Sequence, residues 1–165
     1  LVLLDPPILP FDVAEMVRAG AEIPNPIADQ AVRRRGGFPS RADAYAAYHG
    51  RGVFRSWPDA ALDAYLAGGL VDAADGVALA CAPAFEAATF RAVSPHIEAA
   101  LAAVPAPFAL IAGEHGSTVR DAELAAFAAH PRCRGASRLP GTSHFVPLEA
   151  PDAVRSAILK VTAAD

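Results

Sequence analysis

Few residues in this chain could do chemistry, and one stretch gathers the best of them. His144 lies in Leu139-Pro-Gly-Thr-Ser-His-Phe-Val-Pro-Leu-Glu-Ala-Pro-Asp152, between a glycine turn and an apolar run. Imidazole titrates close to neutral pH, so it can take and return a proton under working conditions. Two acids could partner it. Asp5 closes Leu1-Val-Leu-Leu, and Glu114 follows Phe108-Ala-Leu-Ile-Ala-Gly113. A carboxylate bonded to one ring nitrogen fixes the tautomer and stabilises the imidazolium. The other nitrogen is then left to activate a nucleophile. His115 reads as a loop residue beside such a site, and His49, His96 and His130 as surface or helix-end residues. Glu114, His115 and His144 show no recognised metal-ligand spacing, so no metal is expected.

These residues must be positioned by the elements around them. Leu1–Leu4, stopped by Asp5-Pro6-Pro7, has the apolar run and breaker of a buried strand. In Asp12-Val-Ala-Glu15, Asp12 and Glu15 fit a capping box, and Gly20 fits the residue after a helix end. Ser40 is placed to cap a helix running towards Gly50, and Ser56 to cap one stopped by Gly68-Gly69. Pro83 and Pro95 are placed as early helix residues. Tyr45, Tyr48, Phe54, Trp57 and Tyr65 cluster in this helical middle, which reads as a lid over a pocket. Phe108–Ala112 reads as a second buried strand, followed by a helix capped by Ser117 or Thr118. Cys133–Gly141 reads as a weaker third strand, and Ala150–Val161 as a closing amphipathic helix with Val154, Ile158 and Val161 on one face. Strand, helix, strand, loop, helix argues for a parallel sheet of the α/β class. In such a sheet function gathers at the carboxyl ends of the strands, where Asp5, Glu114 and His144 all fall.

The residues that carry these readings resemble the C-terminal part of an α/β-hydrolase fold enzyme. Leu1–Pro10 is similar to the sixth strand and start of the cap, and Pro107–Val119 to the seventh strand and its acid turn. Leu139–Val154 is similar to the histidine loop and last helix, with Gly141-x-x-His144 followed by Pro147-x-x-x-Pro151. The resemblance implies a partial α/β-hydrolase fold. Residues 1–11 and 92–165 would belong to the core and 12–91 to a helical cap. It implies a nucleophile–histidine–acid triad with His144 as general base. Many members carry the acid after the seventh strand, in a Gly-Glu-x-Asp turn; here that turn reads Gly113-Glu114-His115-Gly116, with Gly116 at the place of the Asp. Others carry it after the sixth strand, where Asp5 stands. Asp5 is therefore the expected acid, with Glu114 the alternative.

No Gly-x-Ser-x-Gly nucleophile turn is present. Gly135-Ala136-Ser137-Arg138-Leu139 and Gly141-Thr142-Ser143-His144-Phe145 both lack the second glycine. The nucleophile is therefore expected upstream of residue 1, in a complementing N-terminal segment of roughly 100–120 residues. The 165-residue chain alone is expected to be inactive and poorly stable. The resemblance implies a small apolar ester or related substrate and no cofactor; epoxide hydrolases, carbon–carbon bond hydrolases and haloalkane dehalogenases use the same half-site. The rival reading is an inactive remnant or a small-molecule binding module.

Composition narrows the classes. The chain is 53% hydrophobic and carries a formal charge of −4. That balance argues against a nucleic-acid partner, which needs a concentrated basic face. Arg33–Arg35 is the one basic run and reads as a solvated helix end. The longest uncharged stretch, Ala99–Gly113, is too short to span a bilayer and contains two prolines. No signal peptide is recognised. Cys81 and Cys133 make no disulfide framework, so reduced thiols and a cytoplasmic location are expected.

Overall fold

The computed structural model describes residues 1–162. In chain order, the first half comprises β1 (Val2–Leu4), α1 (Phe11–Arg18), α2 (Pro26–Val32), β2 (Gly37–Phe38), α3 (Arg41–Tyr48), a 3-10 turn (Gly52–Ser56), α4 (Asp59–Gly69), β3 (Leu70–Ala73) and β4 (Gly76–Leu79). There follow α5 (Pro83–Arg91), α6 (Ile97–Ala102), β5 (Phe108–His115), α7 (Asp121–Ala129), β6 (Cys133–Ser143), α8 (Val146–Glu149) and α9 (Pro151–Thr162). The chain divides into two units, one made of Leu1–Ile23 with the chain from Val93 onward, the other of Pro24–Ala92. Helix α1, read from the sequence as the opening of the cap, groups with the first unit.

The first unit is built on a parallel sheet in the order β1-β5-β6. All of Phe108–Gly113 is buried, which is why β5 reads as a continuous apolar run and not as an alternating one. Phe108, Leu110 and Ala112 pack on one face with Leu101 of α6 and with Val119 and Phe127 around α7. Helices α8 and α9 also approach β5, and α9 reaches β1. Phe108 is fully buried, so truncating it to Ala would cost about 3–5 kcal/mol. Strand β5 runs on to His115, further than its apolar stretch suggests, and β6 extends to Ser143.

Helix ends depart from the sequence reading in instructive ways. The residue before α1 is Pro10, and Asp12 makes no cap. Its C-terminus matches expectation: Gly20, with φ +90°, donates its amide to Val17 and Ala21 to Met16, the two bonds of a Schellman motif. Ser40 caps α3 by accepting the Asp43 amide. Ser56 ends the 3-10 turn instead of capping α4, which begins after Pro58. Pro83 is an early residue of α5, whereas Pro95 lies before the start of α6. On α9, Val154 and Val161 are half-buried but Ile158 is 45% exposed.

The second unit is not all helix. Its β2-β4-β3 sheet is antiparallel, with β3 and β4 joined by the two-residue turn Ala74-Asp75. Gly76 is required there: its φ is +130°, and a Cβ would meet the Phe38 carbonyl oxygen at 2.3 Å. Phe38, Leu62, Leu66, Leu70, Val77 and Leu79 form its core. The rings of Tyr48, Phe54, Trp57 and Tyr65 pack on one another, edge to face or stacked, and Tyr48, Phe54 and Tyr65 pack against this core. The arginine run is a solvated helix end only in part: Arg33 ends α2 and is exposed, as is Arg35, but Arg34 turns inward. Arg34 is half-buried, forks onto both carboxylate oxygens of Glu86 and donates to the hydroxyls of Tyr48 and Tyr65.

Candidate active site

Parallel pairing brings the carboxyl ends of β1, β5 and β6 side by side. Asp5 follows β1 directly, and its amide donates to Ile111 of β5. Its φ is +40°, a left-handed conformation unusual for a residue with a side chain. The turn aims the carboxylate across the top of β5 and into the unit, where Asp5 is 0% exposed.

A buried carboxylate needs donors, and Asp5 has several. Gly113 donates its amide to Oδ2 at 2.7 Å. Thr118 donates its amide to Oδ1 at 3.0 Å, and its hydroxyl lies 2.9 Å from the same oxygen. That hydroxyl also lies 2.7 Å from the Pro6 carbonyl, so its one proton is shared between two acceptors. Finally, Nδ1 of His144 lies 3.2 Å from Oδ1. This last contact is bent: Nδ1 is buried and makes no well-aligned hydrogen bond. Burial pushes the Asp5 carboxyl up, but the Gly113 bond, the nearby His144 ring and the Thr118 bonds outweigh it and hold the group below the ordinary carboxylate value.

Asp5 and His144 sit on the two outer strands, so their contact crosses β5. Gly113 makes the crossing possible. A Cβ at this position would lie 2.2 Å from the Ser143 carbonyl oxygen and 3.1 Å from Oδ2 of Asp5. Only glycine lets β6 approach here and leaves room for the Asp5 carboxylate. His144 itself begins a turn after β6 and is 36% exposed at its side chain. With Nδ1 against Asp5, Nε2 is the nitrogen left to accept a proton.

Glu114 lies elsewhere. Its Oε2 accepts the Gly141 amide at 2.8 Å and lies 3.2 Å from Nε2 of His115. Gly141, with φ +73°, belongs to a bulge of β6 between Leu139 and Ser143, where the register with β5 shifts. The structure thus brings Asp5 together with His144 and ties Glu114 to the bulge that precedes the histidine. Among the described residues no group of three or more His, Cys, Asp or Glu side chains could hold a metal ion.

The sequence reading missed several residues of this network. Thr118, read as a helix cap, serves Asp5 instead, and α7 begins after Arg120 without a side-chain cap. Arg138 of β6 donates to the Gly113 and Val119 carbonyls and to Asp121, fastening the turn that holds Thr118. Nothing local marks either residue; the only signal was Gly113 before an acidic turn.

No family model matches the chain, and no curated protein matches it. Its structure is similar to the crystal structure of E-2-(acetamidomethylene)succinate hydrolase, with a TM-score of 0.62 and 21% sequence identity. The similarity covers 93% of this chain and 52% of that one, so the chain spans about half the length of the enzyme it matches. A parallel sheet with flanking helices, overlaid on that enzyme over most of the chain, is a partial α/β-hydrolase fold.

Proposed function

We propose that this chain carries the acid–base half of a hydrolase triad, with His144 as general base and Asp5 as the acid that orients it. The observation that carries the reading is the fully buried Asp5 carboxylate set 3.2 Å from Nδ1 of His144. An upstream nucleophile, a serine on the simplest reading, attacks the carbonyl of a small apolar ester or related substrate. Nε2 of His144 takes the nucleophile's proton as the bond forms and delivers it to the leaving group. It then takes a proton from the water that attacks the acyl group and returns that proton to the nucleophile as the acyl bond breaks. Asp5, held ionised by its donors, stabilises the imidazolium formed at each stage. Pro24–Ala92 plays the part of the cap, and Glu114 shapes the histidine loop. A base without a nucleophile turns nothing over, so the 17.0 kDa chain by itself is inactive and needs a complementing N-terminal segment. The two free cysteines go with a cytoplasmic setting.

The absence of a Gly-x-Ser-x-Gly turn favours a second reading, a remnant that keeps a binding pocket without catalysis. The two separate in a native extract labelled with a fluorophosphonate probe and blotted with an antibody to the His144 loop. A labelled band at about 1.6 to 1.8 times 17.0 kDa, the mass of the chain with its expected upstream segment, supports the serine hydrolase. An unlabelled band at 17.0 kDa supports the remnant.

A further inference from the structure

The histidine loop is held from behind by a carboxylate that takes no part in the proposed proton transfers. Glu149 ends α8, the four-residue helix that begins two positions after His144. Its Oε2 accepts the Ser143 amide at 2.6 Å, and its Oε1 accepts the Ser143 hydroxyl at 2.9 Å. The same hydroxyl oxygen accepts the Phe145 amide at 3.2 Å. The Glu149 amide in turn donates to the Phe145 carbonyl. Ser143 is therefore fastened directly to a half-buried carboxylate, and Phe145 is tied to it through the Ser143 hydroxyl and to the Glu149 backbone. Charge-assisted bonds of this length are the stronger kind. Below the loop, Val146 is fully buried and anchors α8.

We infer that Glu149 is a positioning residue for the proposed general base: it fixes the backbone at Ser143 and Phe145, and so sets the ring of His144 with Nδ1 towards Asp5. The physical need is visible in the Asp5 contact. At 3.2 Å and off line, that contact cannot by itself choose the ring's orientation. The loop must choose it. Glu149 supplies two acceptors in a fixed fork. A neutral side chain of the same shape supplies one acceptor oxygen, so the Ser143 amide and hydroxyl can no longer both donate to it.

The inference rests on the Asp5–His144 reading, and its test separates the two. The tautomer of His144 is read in the whole 165-residue chain by long-range proton–nitrogen NMR of labelled histidine, well above the ordinary imidazole range. His144→Ala assigns the signal. In the unsubstituted chain the Nδ1–H form dominates, about tenfold or more, as expected where Nδ1–H serves a carboxylate. Glu149→Ala brings the two tautomers to within about threefold, Glu149→Gln to an intermediate ratio, and Ser143→Ala, which keeps the amide bond to Glu149, shifts it least. Phe127→Leu, remote from the loop, lowers the melting temperature without moving the ratio. Glu149→Gln and Ser143→Ala keep the test decisive should Glu149→Ala fail to fold. If Asp5→Asn changes the ratio while the Glu149 and Ser143 variants change only the melting temperature, the positioning role is overturned and the acid–base pair stands. If Asp5→Asn leaves the ratio untouched, both fall.

Discussion

Two carboxylate–histidine pairs lie within a few residues of each other in this unit, and both are 3.2 Å apart. Everything else about them differs. Asp5 is fully buried and its oxygens meet donors from Gly113 and Thr118 as well as His144. Glu114 and His115 are 43% and 73% exposed at their side chains. Water competes for an exposed pair and screens it, so such a contact contributes little. A buried carboxylate is costly unless its donors are complete, and its geometry is then enforced by the whole network. Distance alone would rank the pairs equal; desolvation and donor count separate them.

The sharpest way to break that contrast is to remove the acid. In an enzyme that carries the nucleophile, Asp5→Asn lowers kcat on the order of a thousandfold or more, while Glu114→Gln leaves it within a few-fold. Steady-state kinetics on an ester check this, and the reverse order would reassign the acid. Next in size is Gly113→Ala. The added methyl meets the Ser143 carbonyl carbon and oxygen, backbone atoms that cannot swing away, so urea denaturation should show a loss of about 2–4 kcal/mol.

Acid titration sharpens the contrast further. The folded-state pKa of Asp5 is depressed, so its contribution to stability is full above the unfolded value of about 3.9 and is lost as pH falls through the lower folded value. Denaturation at a series of pH values should show less acid sensitivity in Asp5→Asn than in the unsubstituted chain. Thr118→Val removes the hydroxyl from Asp5 and Pro6 but keeps the amide bond, for an expected loss of about 1–3 kcal/mol. The smallest effect is on the exposed pair: Glu114→Gln should change stability by less than about 0.5 kcal/mol by the same denaturation measurement.

The parallel sheet was legible because burial on both faces leaves a continuous apolar run, as in Phe108–Ala112, and because breakers such as Pro6-Pro7 bound it. Asp5 and His144 were legible as strand-end residues. Their pairing was expected only from the resemblance; no local signal gave it, since it depends on Gly113 lying between them in the sheet order β1-β5-β6. Thr118 looked like a helix cap because capping and carboxylate binding ask for the same side chain; tertiary structure decides which partner it meets. The β3–β4 hairpin carried a signal in the Asp75-Gly76 dipeptide at its turn, but the alanine-rich flanks favour helix. Arg34 was misjudged because a charge run says nothing about which of its members folds inward onto Glu86.

The bond from Gly113 to Asp5 joins residues 108 positions apart. During synthesis β1 is made before β5, and its β5-facing edge has no partner until that distance has been translated, about 5–20 s at ordinary elongation rates of about 5–20 residues per second. For that interval Leu1–Leu4 offers bare apolar backbone, and Asp5 lacks the donors that hold its left-handed turn. The Pro24–Ala92 unit, whose contacts lie within a continuous segment, can be complete before β5 emerges. The Asp5–His144 contact is thus among the last parts of the chain to form.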